Sequence, residues 1–403
     1  MWRWALSATL ASLLSVVGRA AAGEWDFSAS VAAELRAFPN TAAFVAQEAA
    51  GLSPSLVAEP EVVYEWNDGD DRLTFVPFLR WDAHDDNRTH ADLREANWLH
   101  LGTDWTLLVG IGKVFWGVTE SRHLVDIINQ TDSVEDIDTE DKLGQPMVNL
   151  DLNRDWGTLS IFVLPGFRER TFPDREARLR GSLPIDKDNP TYESRAKERH
   201  VDVAVRWAQS IGNWDVGLAH FHGTSREPRL LPSVSGGGQN VLRPRYDQID
   251  QTSLDLQLTI GAWLLKLEAI TRGGQGDRFA AAVGGFEYTF FGVAGTNADV
   301  GLLAEYLYDG RNAGSAPSTA SNNDMFLGVR LALNDEPDTQ LLMGAIVDRS
   351  SGATLFNVEA ERRLGENWKL EIESRFLFDV ADDPVLAGIG DDDFITFRLT
   401  RFF

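Results

Sequence analysis

The chain has 403 residues, including 13 Trp and 22 Phe but no Cys, and its formal net charge is −24. This composition excludes disorder of the chain as a whole, and the acidic balance argues against nucleic acid as a partner. Without Cys, the chain has no disulfide, no thiolate metal site and no Cys nucleophile.

The first residues predict a signal peptide. The segment MWRWALSATLASLLSVVGRAAAGEW places Arg3 before a short apolar stretch, and Ala20 and Ala22 satisfy the A-x-A rule for cleavage. The apolar run is short for a membrane span, which leaves a buried helix or a membrane anchor as the weaker alternatives. We predict that residues 1–22 are a signal peptide, that the protein is exported, and that residues 23–403 form a single domain.

Beyond residue 23 the chain is a succession of strand-like segments with little helical periodicity. Alternation of apolar and polar residues with a period of two is typical of a strand with two different faces. We predict about 18 strands, within two. They lie near 24–38, 57–66, 72–84, 92–102, 105–116, 146–153, 157–165, 199–209, 212–222, 250–260, 262–272, 278–291, 298–308, 324–333, 338–348, 352–363, 367–378 and 391–403.

Two of these segments carry charged residues opposite an apolar face. Segment 262–272 alternates Trp263, Leu265 and Leu267 with charged residues, and segment 367–378 does the same. Burying the charged faces in a dry core would be costly, whereas a water-filled lumen removes that cost. The predicted pore-lining residues on the wall are Lys266, Glu268, Lys369, Glu371, Glu373 and Arg375.

The connections between the predicted strands alternate between long and short along nearly the whole chain. This alternation is typical of an up-and-down barrel with short turns at one rim and long loops at the other. Aromatic residues near the segment ends fit two interfacial girdles. The fold class is therefore predicted to be all-β: a transmembrane up-and-down antiparallel β-barrel of about 18 strands (16–18), with short periplasmic turns and long extracellular loops.

The last strand, FITFRLTRFF at 394–403, ends the chain on Phe403. Together with the signal peptide and the strand–turn pattern, it resembles bacterial outer-membrane β-barrels of the porin-like class, in which such a strand is the insertion signal for the barrel-assembly machinery. Phe397, Leu399 and Phe403 match the alternating apolar positions of that signal, whereas Arg401 departs from it. The resemblance implies the outer membrane of a Gram-negative bacterium, with lipid, lipopolysaccharide and the assembly machinery as partners. The resemblance does not fix the oligomeric state, and a homotrimer is one of the states it allows.

The stretch GKVFWGVTESRHLVDIINQTD at 112–132 is similar in layout to porin-like proteins of the alginate-export type and related uncharacterised families. The loop at 117–145 carries an apolar stripe, so it is predicted to fold into the barrel as a constriction. Its eyelet would be lined by Glu120, Arg122, His123 and Asp126. A surface loop packed on its neighbours is the alternative.

Two further clusters contain residue types that can bind metal ions. The acidic stretch DSVEDIDTED at 132–141 could bind Ca²⁺, but it lacks the ordered spacing of an EF-hand, and a solvated acidic face is favoured. His220 and His222 lie two apart on one strand face, a spacing that is usually incidental. The sequence therefore predicts no metal and no cofactor.

The next long loops carry the opposite charge. The predicted extracellular basic residues are Arg168, Arg170, Arg175, Arg178 and Arg180, and further arginines follow in 223–249. Three interpretations of these arginines are open. They could form a funnel for anionic solutes, they could bind lipopolysaccharide phosphates, or they could be neutralised by nearby Asp and Glu.

These observations predict a channel for passive or facilitated diffusion of small hydrophilic, possibly charged, solutes. The alternative is a plugged barrel that acts as a scaffold or assembly partner in the outer membrane. A barrel enzyme is less favoured, because the chain has neither G-x-S-x-G nor H-E-x-x-H.

Overall fold

The computed structural model describes residues 23–403, so the predicted signal peptide lies outside the described residues. The first ten strands are β1 (Glu24–Ala37), β2 (Leu52–Trp66), β3 (Asp71–Asp82), β4 (His90–Leu101), β5 (Trp105–Gly112), β6 (Gln145–Arg154), β7 (Gly157–Pro165), β8 (Thr191–Tyr192), β9 (Val201–Ile211) and β10 (Trp214–Thr224). The remaining strands are β11 (Arg229–Val234), β12 (Asn240–Tyr246), β13 (Gln248–Ile260), β14 (Trp263–Gly273), β15 (Phe279–Phe290), β16 (Asp299–Asp309), β17 (Asn323–Ala332), β18 (Gln340–Asp348), β19 (Thr354–Arg363), β20 (Trp368–Phe378) and β21 (Phe394–Phe402).

Eighteen of these strands form one closed antiparallel sheet, which confirms the predicted fold class and strand number. Each barrel strand pairs with the barrel strands before and after it, and β1 closes the barrel against β21, with Ser30 opposite Phe402 and Ala37 opposite Ile395. Closure leaves no edge of the 18-stranded sheet unpaired, which is the arrangement that a barrel requires.

The alternation of connections is also as predicted. Turns of a few residues join β2 to β3 and β6 to β7 at one rim, whereas the connections at the other rim include the long segments 113–144 and 166–200. Both ends of the barrel lie at the short-turn rim, where the backbone N–H of Phe402 donates to the carbonyl of Asn367 at 2.9 Å.

The sequence missed three short strands in the long loops. β11 and β12 form a hairpin, and β12 also pairs in parallel with β8, so the loops before β9 and β13 share a small second sheet. These segments contain Pro232 and Pro244, and proline within an apolar run argues against a strand at sequence level.

The outer surface of the barrel is an apolar band. Outward-facing residues such as Phe27, Leu79 and Leu265 are exposed by more than a third. Contiguous apolar surface of this extent is costly in water, at about 25 cal/mol per Å², and it suits contact with lipid. Among residues 23–403, no helix has the length and apolarity needed to cross a membrane.

Candidate functional site

The long segment between β5 and β6, residues 113–144, is here named the inserted loop. Its apolar residues Leu124, Val125, Ile127 and Ile128 are all at most 5% exposed. They form one buried cluster with inward-facing wall residues, among them Phe162, Phe221, Ile249 and Val283. The loop therefore lies inside the barrel, held there in part by aliphatic side chains whose burial contributes about 1.5–3 kcal/mol each.

Glu268 on β14 anchors the first half of the inserted loop. Its Oε1 accepts hydrogen bonds from the backbone N–H of Val118 at 2.7 Å and of Thr119 at 3.1 Å, and its Oε2 accepts one from Val125 at 3.1 Å. The residue is fully buried. Glu268 thus faces the barrel interior, as the sequence predicts, but its carboxylate is bonded to the loop and is not in contact with water.

Glu305 on β16 is a second anchor of the same kind, and sequence reasoning missed it. Its carboxylate accepts hydrogen bonds from the backbone N–H of Glu120 at 2.8 Å and of Ser121 at 2.9 Å, and from the Ser121 hydroxyl at 2.6 Å. The period-two pattern of β16 places this carboxylate inward, but the pattern alone gives no partner for it.

The three charged residues predicted to form an eyelet are all engaged in ion pairs. Glu120 lies 2.7 Å from Arg330 and 3.4 Å from Lys266. Arg122 lies 3.4 Å from Asp309, and Asp126 lies 3.2 Å from Lys142. The ion pairs of Glu120 and Arg122 join the inserted loop to the wall, whereas the pair of Asp126 stays within the loop.

Arg122 also approaches a half-buried charge centre formed by Glu227. Its partners are Arg272 at 2.8 Å, Arg311 at 2.9 Å and Arg122 at 3.7 Å. Burial alone would raise the pKa of Glu227, but these guanidinium groups hold it well below its usual range. Glu227 therefore remains a carboxylate and links three elements at the long-loop rim.

His123 lies between two carboxylates. Its Nε2 is 3.7 Å from Glu140, and its Nδ1 is 3.7 Å from Glu268. Burial disfavours the charged imidazolium, but the two carboxylates outweigh that effect and raise the pKa of His123 to about 9. At neutral pH the imidazolium therefore joins the inserted loop to the β14 wall.

The second half of the inserted loop is held by arginines from β1, β3 and β4. Arg80 pairs with Glu135 at 2.5 Å, Arg36 with Asp136 at 3.3 Å, and Arg94 with Asp132 at 2.8 Å. These three loop carboxylates are at most 7% exposed. The prediction of a solvated acidic face is therefore wrong for Asp132, Glu135 and Asp136, because inward-facing arginines distant in sequence neutralise and cover them. The side chain of Glu140 in the same stretch is 63% exposed.

On β20, Arg375 is the centre of a carboxylate cluster. It lies 3.1 Å from Asp138 and 3.1 Å from Glu359, and it also contacts Glu373. Burial and the neighbouring Asp136 raise the pKa of Asp138 well above its usual value. The cluster joins the later part of the inserted loop to the β20 wall.

Lys369 and Glu371 lie on the same face of β20 as Arg375. Lys369 pairs with Glu361 at 2.7 Å and with Glu371 at 3.0 Å. A cavity of about 500 Å³ lies beside them and is lined by residues of the wall and of the inserted loop, including Lys113, Glu140, Lys369, Glu371, Arg398 and Phe402. Several of these residues sit near the short-turn rim, so this part of the interior is open to solvent.

The basic residues of the loop at 166–200 are largely used to hold loops together. Arg168 pairs with Asp92 at 2.7 Å and Arg178 with Asp392 at 2.7 Å, whereas Arg180 donates to the carbonyl of Arg175 at 2.7 Å. The arginines of the following loop pair as well: Arg226 with Asp202, Arg229 and Arg245 with Asp247, and Arg243 with Asp186. This arrangement favours mutual neutralisation over a free basic funnel.

Arg170 and Arg175 are not in ion pairs of this kind. The Nε of Arg170 is buried without a hydrogen-bond partner, and Arg175 donates to Gln239 at 2.8 Å in an exposed position. Arg180 donates only to backbone carbonyls, so three of the five predicted basic residues, Arg170, Arg175 and Arg180, have no carboxylate partner within residues 23–403.

The residues of the predicted insertion signal all face outward on or next to β21. Phe397 and Leu399 are more than a third exposed, and Phe403 is 65% exposed. The guanidinium of Arg401 lies over the rings of Trp368 at 5.4 Å and Phe403 at 4.8 Å. Stacking on these rings gives a charged residue a place at the short-turn rim.

No protein-family model matches the sequence, and no curated protein matches it either. Similar solved structures are Pseudomonas aeruginosa OccD3 (OpdP), at 9% identity over 94% of this chain and 90% of that chain, and OccK3 (OpdO), at 11% identity over 94% and 95%. Both have a TM-score of 0.54. This chain has the fold of outer-membrane porin-like barrels. Variants of a Rh. blastica porin also match at 11% identity, with a TM-score of 0.45 for one of them, which is too low to carry an argument.

Proposed function

We propose that this protein is a passive channel of the outer membrane for small hydrophilic solutes, and that it prefers cations. The observation that carries the proposal is the distribution of exposed charge inside the barrel. On the β19–β20 wall and the facing part of the inserted loop, the charges in contact with water are mainly carboxylates, whereas most interior arginines are buried in ion pairs.

The exposed carboxylates face the open part of the lumen. The side chains of Glu359, Glu361, Glu371 and Glu373 are 30–46% exposed, and that of Glu140 is 63% exposed. A low-dielectric wall focuses their field into the water-filled space, which raises the local concentration of cations and lowers that of anions.

The interior arginines contribute little to this field. Seven of them have side chains at most 8% exposed and lie against carboxylates: Arg36, Arg80, Arg88, Arg94, Arg272, Arg311 and Arg375. The more exposed cations Lys369, Arg330 and Arg398 also contact carboxylates. A paired buried charge is largely cancelled at the distance of a passing solute. The exposed carboxylates are also in ion pairs, but they outnumber their cations Lys369, Arg375 and His123 and are more exposed than they are, so the excess acidic charge sets the selectivity.

The test is single-channel recording of the purified, refolded chain in a planar bilayer, with the reversal potential measured across a KCl gradient. We expect steady conductance steps and a reversal potential that is shifted from zero toward the equilibrium potential of K⁺. The double variant Glu359→Gln, Glu371→Gln should move the K⁺/Cl⁻ permeability ratio toward one. Glu366→Gln, in the exposed turn before β20, is the matched control and should leave the ratio unchanged.

The outcomes separate the two parts of the proposal. An anion-selective reversal potential would refute the cation preference but keep the channel. If correctly folded barrels show no conductance steps, the proposal of an open channel is refuted.

A plugged barrel with a scaffold role is the second candidate. The observation in its favour is that the inserted loop is bonded both to Glu268 and Glu305 on one side of the barrel and to Arg36, Arg80 and Arg375 on the other. A porin-like fold supports either of these two functions over an enzyme.

The proposal places the long loops outside the cell and both ends of the barrel in the periplasm. The outward Phe397, Leu399 and Phe403 then serve as the signal for the barrel-assembly machinery, and the apolar band contacts outer-membrane lipid. A homotrimer and lipopolysaccharide binding through the exposed Arg175 are also part of the proposal, to be tested by cross-linking and by lipid binding.

A further inference from the structure

Three side chains of metal-ligating type converge where β4 begins beside the inserted loop. The Nε2 of His90 lies 3.4 Å from the Oδ2 of Asp132 and 3.9 Å from the Oε1 of Glu135. One ligand atom from each of the three residues lies within 4.8 Å of the other two. Asp132 and Glu135 are on the loop, whereas His90 is on the wall, so the cluster bridges the two.

Two of these ligand atoms have no hydrogen-bond partner. The Nε2 of His90 and the Oε1 of Glu135 are both buried and unbonded, and Glu135 is only 5% exposed. Buried polar atoms usually have partners, because an unsatisfied one costs about 1–3 kcal/mol. The convergence of two unbonded atoms on one point indicates that a ligand is missing from the set.

The orientation of His90 suits a metal ligand. Its Nδ1 lies 2.8 Å from the backbone carbonyl of Arg88. A carbonyl can only accept, so Nδ1 carries the proton, and in the neutral imidazole the Nε2 lone pair points toward the two carboxylates. Metal-ligating histidines are commonly fixed in this way by a carbonyl on the other ring nitrogen.

The two carboxylates are held in place as well. Arg94 donates to the Oδ2 of Asp132 at 2.8 Å, and the Thr171 hydroxyl donates to its Oδ1 at 2.7 Å. Arg80 donates to the Oε2 of Glu135 at 2.5 Å, which leaves Oε1 free. Outer partners of this kind orient metal ligands and offset the charge of a bound cation.

We propose that His90, Asp132 and Glu135 bind a Zn²⁺ ion, with a solvent molecule as the fourth ligand. One imidazole nitrogen with two carboxylate oxygens suits zinc, whereas Ca²⁺ and Mg²⁺ prefer all-oxygen sets. Bonds of about 2.1 Å in tetrahedral geometry place ligand atoms about 3.4 Å apart, close to the separations from His90. This site revises the sequence-based expectation of no metal.

The ion would fasten the inserted loop to the wall. Glu135 and Arg94 line the 500 Å³ cavity of the lumen, which gives the metal a route to the site. The proposal does not depend on whether the barrel conducts, because it concerns only how the loop is held.

The test is a calorimetric titration of the EDTA-treated, refolded chain with ZnSO₄ in detergent. His220 and His222 lie on the exposed face of β10 and could bind zinc weakly, so the double variant His220→Gln, His222→Gln is the background. In that background we expect one zinc ion per chain. Affinity should fall at least tenfold in His90→Gln and in Glu135→Gln, which keeps an oxygen that can accept from Arg80.

A second readout separates the metal from a plain ion pair. Zinc should slow proteolysis within residues 113–144 of the background protein and leave His90→Gln unaffected. If the background protein binds no zinc, or binds it as well after His90→Gln, the proposal is wrong. His90 is then an imidazolium paired with Asp132 and Glu135, and its loss would loosen the loop with or without zinc.

Discussion

The anchoring of the inserted loop by Glu268 is open to a direct test through Glu268→Ala. The substitution removes the acceptor for three backbone N–H groups, those of Val118, Thr119 and Val125. A hydrogen bond to a charged group contributes about 1.5–3 kcal/mol, so three contribute about 5–9 kcal/mol. Bonds that share one acceptor are not additive, so we expect the free energy of loop opening to fall by about 5 kcal/mol.

A change of this size raises the open fraction of the loop by more than a thousandfold, since about 1.4 kcal/mol corresponds to a factor of ten. Backbone amide hydrogen exchange, measured by mass spectrometry, should therefore accelerate at residues 118–125 and not in the barrel strands. Glu268→Gln keeps one oxygen acceptor and should give an intermediate effect. In single-channel recordings, Glu268→Ala should show larger and noisier current steps.

The matched control is Glu361→Ala, which removes an inward carboxylate that pairs with Lys369 on the neighbouring strand. It should leave exchange within the inserted loop unchanged. If Glu268→Ala and Glu361→Ala exchange alike at residues 118–125, the carboxylate of Glu268 does not anchor the loop, and the apolar cluster alone holds it.

Three further predictions concern other parts of the barrel. Because the raised pKa of His123 is about 9 and the unfolded value is about 6.5, its stabilising contribution is complete below about pH 6.5 and is lost as pH rises through 9; proteolysis of the inserted loop should accelerate above pH 9, and His123→Gln should abolish this dependence. Arg375→Met leaves Asp138, Glu359 and Glu373 without their cation; because these side chains are 24–46% exposed, water screens part of the loss, and the barrel should be destabilised by about 1–3 kcal/mol, measured by urea unfolding, with Lys369→Met as the milder comparison. Phe403→Ala should lower the yield of assembled barrel in cells without changing conductance, and equal yields would show that the terminal ring is not recognised.

The period-two pattern was enough to predict the barrel. In β14 and β20 the alternation separates Lys266, Glu268, Lys369 and Arg375 from the apolar face, because strand geometry alone distinguishes the two faces. Alternating connection lengths then gave the closure and the position of both ends at one rim.

The role of each inward charge could not be predicted in the same way. Glu268 appears in the sequence as one more polar residue of a strand, and only the placement of the inserted loop shows that it is an anchor. The acidic stretch at 132–141 appears solvated because its partners Arg36, Arg80 and Arg94 lie on strands far from it in sequence. A periodic pattern does not show which loop residue contacts which wall residue, so it could not predict these ion pairs.

The seam between β1 and β21 joins residues from opposite ends of the chain, such as Ser30 and Phe402. Contacts of such high sequence separation form slowly, because almost the whole chain must be ordered before they are made. Until then, two strand edges expose backbone groups that each cost several kcal/mol when left unsatisfied in lipid. Seam closure is thus the expected rate-limiting step of assembly, and a factor that shields the edge of β21 would act on that step.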